Sequence, residues 1–238
     1  MKKRIQLFTL FTFLVFASQG CISTLTGENG NGNLVTEERN IEGFHQLKCS
    51  GGFDVELIKS NNKTIKVITD ENLLDNVETY VRAGILHVKS RNIGDASELS
   101  LKIHYEKLDK ISSSGAVEIH SDDVMEADNL NIKSSGASEI HLRLDVKKID
   151  LDYSGASKTT LSGKAEEFAY KGSGASKLKA YDLQADHAKI KISGAGSARV
   201  FARKSLSASV SGAGNIYYKG NPEKLQTNMS GAGNIRSK

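Results

Sequence analysis

Residues 132–160 read IKSSGASEIHLRLDVKKIDLDYSGASKTT and hold two copies, Ser135-Gly136-Ala137 and Ser154-Gly155-Ala156, of the tripeptide that organises the chain. Ser-Gly-Ala recurs with its serine at 114, 135, 154, 173, 193, 211 and 230, at intervals of 21, 19, 19, 20, 18 and 19 residues. Self-similarity at so steady a period is the signature of stacked repeats, each a structural coil resting on its neighbours.

The flanks of the tripeptide repeat as well. Three positions before the serine stand Ile111, Ile132, Leu151, Tyr170, Ile190, Ala208 and Thr227. Five positions after it stand Ile119, Ile140, Thr159, Leu178, Ala198, Ile216 and Ile235. Polar residues alternate with these mostly apolar columns, the period-two pattern of half-buried β-strands. Each repeat therefore reads as a strand, a tight corner, a second strand and a variable return. The glycine suits a corner that a Cβ would obstruct, and the alanine is assigned to an inward position with little room.

One repeat cannot stand alone. Ordering its backbone costs roughly 1–2 kcal/mol per residue, while its inward aliphatics return only about 1.5–3 kcal/mol each. Stacking at about 4.8 Å per coil closes the hydrogen-bond ladder and merges the inward side chains into one core. The expected fold is all-β: a parallel β-helix, or solenoid, of about 19 residues per coil.

Upstream, from Leu34 to Glu106, the alternation continues in Phe53/Val55/Leu57, Ile65/Val67 and Leu99/Leu101/Ile103/Tyr105. Ser60–Lys63 and Arg91–Asp95 break it as turns, and Asn72–Asn76 suggests one short helical turn. Ser50-Gly51-Gly52 resembles a degenerate corner, which makes this region the irregular, β-rich first coils.

The N-terminus carries a targeting pattern. Lys2, Lys3 and Arg4 precede the apolar run Ile5–Ala17, and Ser18-Gln19-Gly20 places small residues before Cys21. Residues 1–20 read as a secretory signal peptide, too short an apolar run to span a bilayer. Cysteine after a small residue resembles a bacterial lipobox, with Ser18 where leucine is commonest, so Cys21 is the expected lipid-attachment site and membrane anchor. Residues 21–33, rich in Gly and Asn, read as a flexible spacer. Residues 34–238 form the folded domain.

With Cys21 acylated, Cys49 has no disulfide partner. It shares the face of Leu47 and reads as a buried small hydrophobe. The net charge of +4 is dispersed along 238 residues. No basic stripe with interleaved aromatics stands out along the chain, so nucleic acid is not an expected partner.

Ser211-Gly212-Ala213-Gly214-Asn215-Ile216 and Ser230-Gly231-Ala232-Gly233-Asn234-Ile235 resemble the hallmark of the head GIN domain family of auto-transporter adhesins. The run from Phe44 to Leu47 followed by Phe53-Asp54-Val55-Glu56-Leu57 is similar too. The resemblance covers roughly Leu34 to Lys238; the first four repeats depart from it, with SGAV or SGAS in place of SGAG. It implies a right-handed β-helix and an envelope location in Bacteroidetes-type bacteria. The expectation is a non-enzymatic outer-membrane lipoprotein with a glycan or protein ligand, facing the periplasm or the surface.

Candidate chemistry is sparse. His120 and His141 occupy equivalent positions beside Glu118 and Glu139, a conceivable zinc or copper pair. The following rungs, Thr160, Lys179 and Arg199, add no ligand, so no metal or cofactor is expected, and Lys133 or Lys158 should relieve the glutamates. A carbohydrate-active enzyme would need two facing carboxylates, for which Asp122-Asp123 and Asp150/Asp152 are the nearest candidates. No aromatic platform accompanies them, and no catalytic residue is assigned. The serine ladder from Ser114 to Ser230 is read as hydroxyls satisfying local backbone groups at each turn. A periplasmic structural or assembly role is the third reading. The last coil has an incomplete return, and self-association is one way to cover such an edge.

Overall fold

Alternating side chains commit almost the whole chain to strands, and the period of the repeat decides how those strands pair. The computed structural model describes residues 27–238; the signal segment 1–20 and Cys21 lie outside them. The strands are β1 (Leu34–Asn40), β2 (Gln46–Lys59), β3 (Thr64–Asp70), β4 (Val77–Arg82), β5 (Ile85–Ser90), β6 (Leu99–Tyr105) and β7 (Lys110–Gly174). They continue as β8 (Lys177–Gly194), β9 (Ser197–Gly212), β10 (Asn215–Lys219), β11 (Lys224–Gly231) and β12 (Asn234–Ser237). The expected helical turn is a short 3-10 helix, Glu71–Asn76.

The fold is mostly β and its sheet is largely parallel. The strand order is β1-β3-β6-β2-β7-β8-β9-β10-β12, with β11 on β9 and β4 on β5. Corner pairs with corner throughout. Ser50 lies opposite Ser114, Ser173 opposite Ser193, Ser193 opposite Ser211, and Ser211 opposite Ser230. Ser50-Gly51-Gly52 is thus the first corner, separated from the second by the excursion through β3 to β6.

The corner glycines form a stack. Gly115, Gly136, Gly155, Gly174, Gly194, Gly212 and Gly231 all have φ between 88° and 121°. A Cβ on any of them would collide with backbone of the corner glycine before it. Both the handedness of the backbone and the close approach therefore require glycine.

The tripeptide itself corrects one expectation. Ala116, Ala137, Ala156, Ala175, Ala195 and Ala213 are exposed. The residue after the alanine turns inward instead: Val117, Ser138, Ser157, Ser176, Gly196 and Gly214 are buried. The backbone turns so sharply at the positive-φ glycine that the Ser, Gly and Ala share the outer surface before alternation resumes. The two columns are inward as expected, from Ile111 to Ala208 and from Ile119 to Ile216; their apolar members share one hydrophobic cluster, and Thr159 is buried with them. Thr227 departs from its column, because every residue of β11 is exposed and no described strand covers that end.

Small polar side chains enter the core inside the corners, where they bond to one another. Ser113 Oγ donates to Ser134 Oγ (2.9 Å), which donates to Ser138 Oγ (2.6 Å). Tyr170 Oη donates to Ser176 Oγ (2.7 Å) in space left by Gly172, and the Tyr170 ring meets Tyr153 edge-on at 5.9 Å.

The N-terminal end is closed differently. β5 and β6 lie parallel to successive halves of β2. β4 then adds antiparallel to β5, β3 antiparallel to β6, and β1 antiparallel to β3. The irregular first coils thus end in antiparallel strands. Part of the expected spacer is also built into the fold. Glu28 N donates to Asn92 O and Gly30 N to Asp95 O, while Gly32 N donates to the carboxylate of buried Asp70 (2.7 Å). The packed body therefore includes Gly27–Asn33, ahead of the expected boundary at Leu34.

Candidate functional site

The interior is filled with side chains, so the polar groups available to a partner lie on the outer faces. The exposed Ser-Gly-Ala strip runs along the stacked corners. Among the described residues two of its serines bond outside their own turns, contrary to the sequence reading. Ser114 Oγ donates to Ser50 Oγ (2.9 Å) and Ser173 Oγ to the Tyr153 carbonyl (3.2 Å), in both cases reaching the rung before. These hydroxyls fasten rung to rung.

On the face that follows the corner, parallel register places Asp54 beside Glu118 and Glu56 beside His120. His120 Nδ1 is 3.4 Å from Asp54, and His141 Nε2 is 2.7 Å from Glu139. Lys158 pairs with Glu139 as expected. Its hydrogen bond, with that of His141, holds the Glu139 carboxyl below the usual carboxylate range. Lys133 does not share this relief; it lies before the corner, among Lys48, Ser112 and Asp152. Each histidine thus has its own carboxylate, and no group of three metal-capable side chains converges among the described residues.

A groove of about 990 Å³ follows the return segments. Its walls carry both charge signs, knitted across rungs by Lys59–Glu126 (2.8 Å), Lys147–Asp128 (2.7 Å) and Lys204–Asp186 (2.8 Å). Hydrogen bonds from these lysines hold Glu126, Asp128 and Asp186 below the ordinary carboxylate range. A glycosidase needs a carboxyl raised to donate a proton near neutrality. Among the described residues, every carboxyl with a resolved shift is lowered. Asp123 accepts from the Lys59 amide (2.8 Å) and Asp150 lies 3.7 Å from Lys148, so one member of each suggested acidic pair is engaged elsewhere. The groove lining contains no Phe or Tyr.

Cys49 is fully buried, and burial pushes its thiol up to about 12. A neutral thiol is a poor nucleophile, so it belongs to the core, as its alternation with Leu47 indicated.

Comparison with protein families matches residues 43–222 to a family described as "Putative auto-transporter adhesin, head GIN domain". Among solved structures, a putative adhesin from Bacteroides fragilis superposes with a TM-score of 0.83 at 22% identity, over 89% of this chain and 100% of that one. A putative adhesin from Parabacteroides merdae gives 0.72 at 25% identity, over 89% and 98%. A protein described as putative lipid binding, from Parabacteroides distasonis, gives 0.69 at 23% identity, over 89% and 99%. A comparison with curated proteins found no match.

Proposed function

We infer the function from one premise: the chain belongs to the head GIN domain family of auto-transporter adhesins. We propose that it is a non-enzymatic adhesion module of the cell envelope, and that its rungs wind as a right-handed parallel β-helix. Support for the winding comes from corners paired in parallel at steps of 18 to 20 residues along β8, β9 and β11. Signal segment 1–20 would direct export, and a lipid on Cys21 would hold the protein at the outer membrane, its remaining spacer lifting the body off the bilayer.

The observation that carries the binding role is the contrast between a filled interior and a long, polar outer surface whose shifted carboxyls are all lowered. Such a surface offers many fixed hydrogen-bonding groups. Solenoids use such extended surfaces for recognition.

The reading is tested with the full chain carrying Cys21→Ser, displayed on beads. Specific binding to a glycan array or to whole cells is the expected result. Blank results on both would favour a periplasmic assembly protein, and release of reducing ends from a polysaccharide panel would overturn the non-enzymatic reading. Mass spectrometry of the wild-type and Cys21→Ala chains tests the anchor separately: the acyl mass should vanish in the variant, and identical masses would refute lipidation.

A further inference from the structure

Toward the N-terminus of the face that follows the corner, carboxylates pair with cations across rungs; at its C-terminal end the described residues show no such pair. The parallel segments 177–181, 197–201, 215–219 and 234–238 read KLKAY, SARVF, NIYYK and NIRSK. They contain Lys177, Lys179, Arg199, Lys219, Arg236 and Lys238 and no acidic residue. Among the described residues none of these six cations makes an ion pair, whereas nearer the N-terminus on the same face Glu56 is paired to Lys102 and Glu139 to Lys158.

Register concentrates these groups. Lys179 lies beside Arg199, Arg199 beside Tyr217, and Tyr217 beside Arg236, forming a cation–cation–tyrosine–cation column. Lys219 Nζ lies 4.7 Å from the centre of the Tyr181 ring, and Lys238 Nζ lies 5.5 Å from that of Tyr217. Along one border Asn234 Nδ2 donates to Asn215 Oδ1 (3.1 Å), and Arg236 donates to Asn234 Oδ1 (3.1 Å). At the other, Asp182 follows Tyr181 as the nearest acid in the chain. By strand geometry the patch measures about 14 Å across the rungs and about 13 Å along them.

We propose that this face binds an acidic oligosaccharide, with the basic column receiving carboxylates or sulfates and the asparagine amides and tyrosine hydroxyls receiving ring hydroxyls. The proposal rests on the adhesion-module reading and specifies its ligand class. Unmatched cations complement an anionic chain, and guanidinium groups bind carboxylate or sulfate as two-point donors. Nucleic acid fits less well, because the Tyr181 and Tyr217 rings already have a lysine against them and Tyr218 packs against the core. A membrane surface fits less well too: none of the exposed large apolar side chains, such as Leu225 and Met229, lies in the four segments.

The test measures binding of the full chain carrying Cys21→Ser to polygalacturonate, neutral dextran, single-stranded DNA and phosphatidylglycerol vesicles. Polygalacturonate should bind in preference to the other three, and Lys179→Gln/Arg199→Gln/Arg236→Gln should weaken it by about tenfold or more. The control Lys171→Gln/Lys189→Gln/Lys191→Gln, which removes equal charge before the corner, should leave it unchanged. Equal loss in both variants, preference for DNA or vesicles, or undiminished binding in the first variant would overturn the proposal. If the first variant still binds cells or another glycan as the parent does, this site is wrong while the adhesion module stands. If the parent binds no glycan and no cell, both readings fall. Circular dichroism of the two variants should match the parent.

Discussion

A Cβ placed on Gly155 would lie 2.6 Å from the carbonyl oxygen of Gly136, the corner glycine of the preceding repeat. The same relation links Gly174 to Gly155 (2.7 Å) and Gly194 to Gly174 (2.8 Å). Each corner is therefore built against the one before it, and the glycine column is a backbone-to-backbone contact along the stack.

Replacing Gly155 with Ala should be costly for two reasons, a φ of 100° and displacement of the Gly136 carbonyl. Backbone strain of this kind alone costs about 1–3 kcal/mol, which lowers the Tm of a chain this size by roughly 2–12 °C. Gly43→Ala, where a Cβ would meet nothing within 4 Å, should leave Tm unchanged. Thermal melts of the two variants decide the matter, and equal melting would sink the stacking argument.

Tyr170 and Ser176 offer a second measurement. Tyr170→Phe leaves the buried Ser176 hydroxyl without its donor and should cost about 1–3 kcal/mol in a denaturant titration. Gly172→Ala should destabilise as well, since its methyl would occupy the space of the Tyr170 hydroxyl and Ser176 Oγ. Adding Tyr170→Phe to Gly172→Ala should recover part of that loss, because the added hydroxyl clash is gone; strictly additive effects would show that the two sites do not share this space.

Asp70 ties Gly32 to Ser97. Its carboxylate accepts from the Ser97 amide (2.8 Å), the Ser97 hydroxyl (2.9 Å) and the Gly32 amide. The Ser97 amide is the leading cause that holds its pKa below the ordinary value. A carboxyl depressed in the folded state stabilises fully above its unfolded pKa of about 3.9 and loses that contribution as pH falls toward the folded value. Asp70→Asn should flatten the acid side of the stability profile below about pH 4. It should also speed amide exchange at residues 30–32, and unchanged exchange there would show that Asp70 does not tether the segment.

Cys49 should resist thiol reagents at neutral pH in the folded Cys21→Ser chain, because its pKa is pushed up to about 12. Unfolding in guanidinium should release one reactive thiol per chain. Prompt labelling of the folded chain would contradict its burial.

The repeat period, the two apolar columns, the first corner at Ser50 and the short helix near Asn72 were all legible in the sequence. Each depends on local alternation or on a tripeptide that recurs intact. Period-two counting misplaces the alanine because it does not survive a residue at positive φ: the corner spends three positions on the outside before alternation resumes at Val117 and its equivalents. Gly27–Asn33 reads as spacer because its composition is polar. Its order comes from Asp70 and from residues 92–95, far along the chain.

The order of residues alone dictates that strands must stack at a step of about nineteen residues, since no single repeat buries enough apolar surface to offset its ordering entropy. It also determined that Cys49 and the aliphatic columns face inward. Which outer residues become neighbours is settled by the folded register. Lys179, Arg199, Tyr217 and Arg236 are separated by intervals of 20, 18 and 19 residues, so no basic stripe appears along the chain. Parallel register brings them side by side across rungs about 4.8 Å apart, and a surface property of this kind exists only once that register is set.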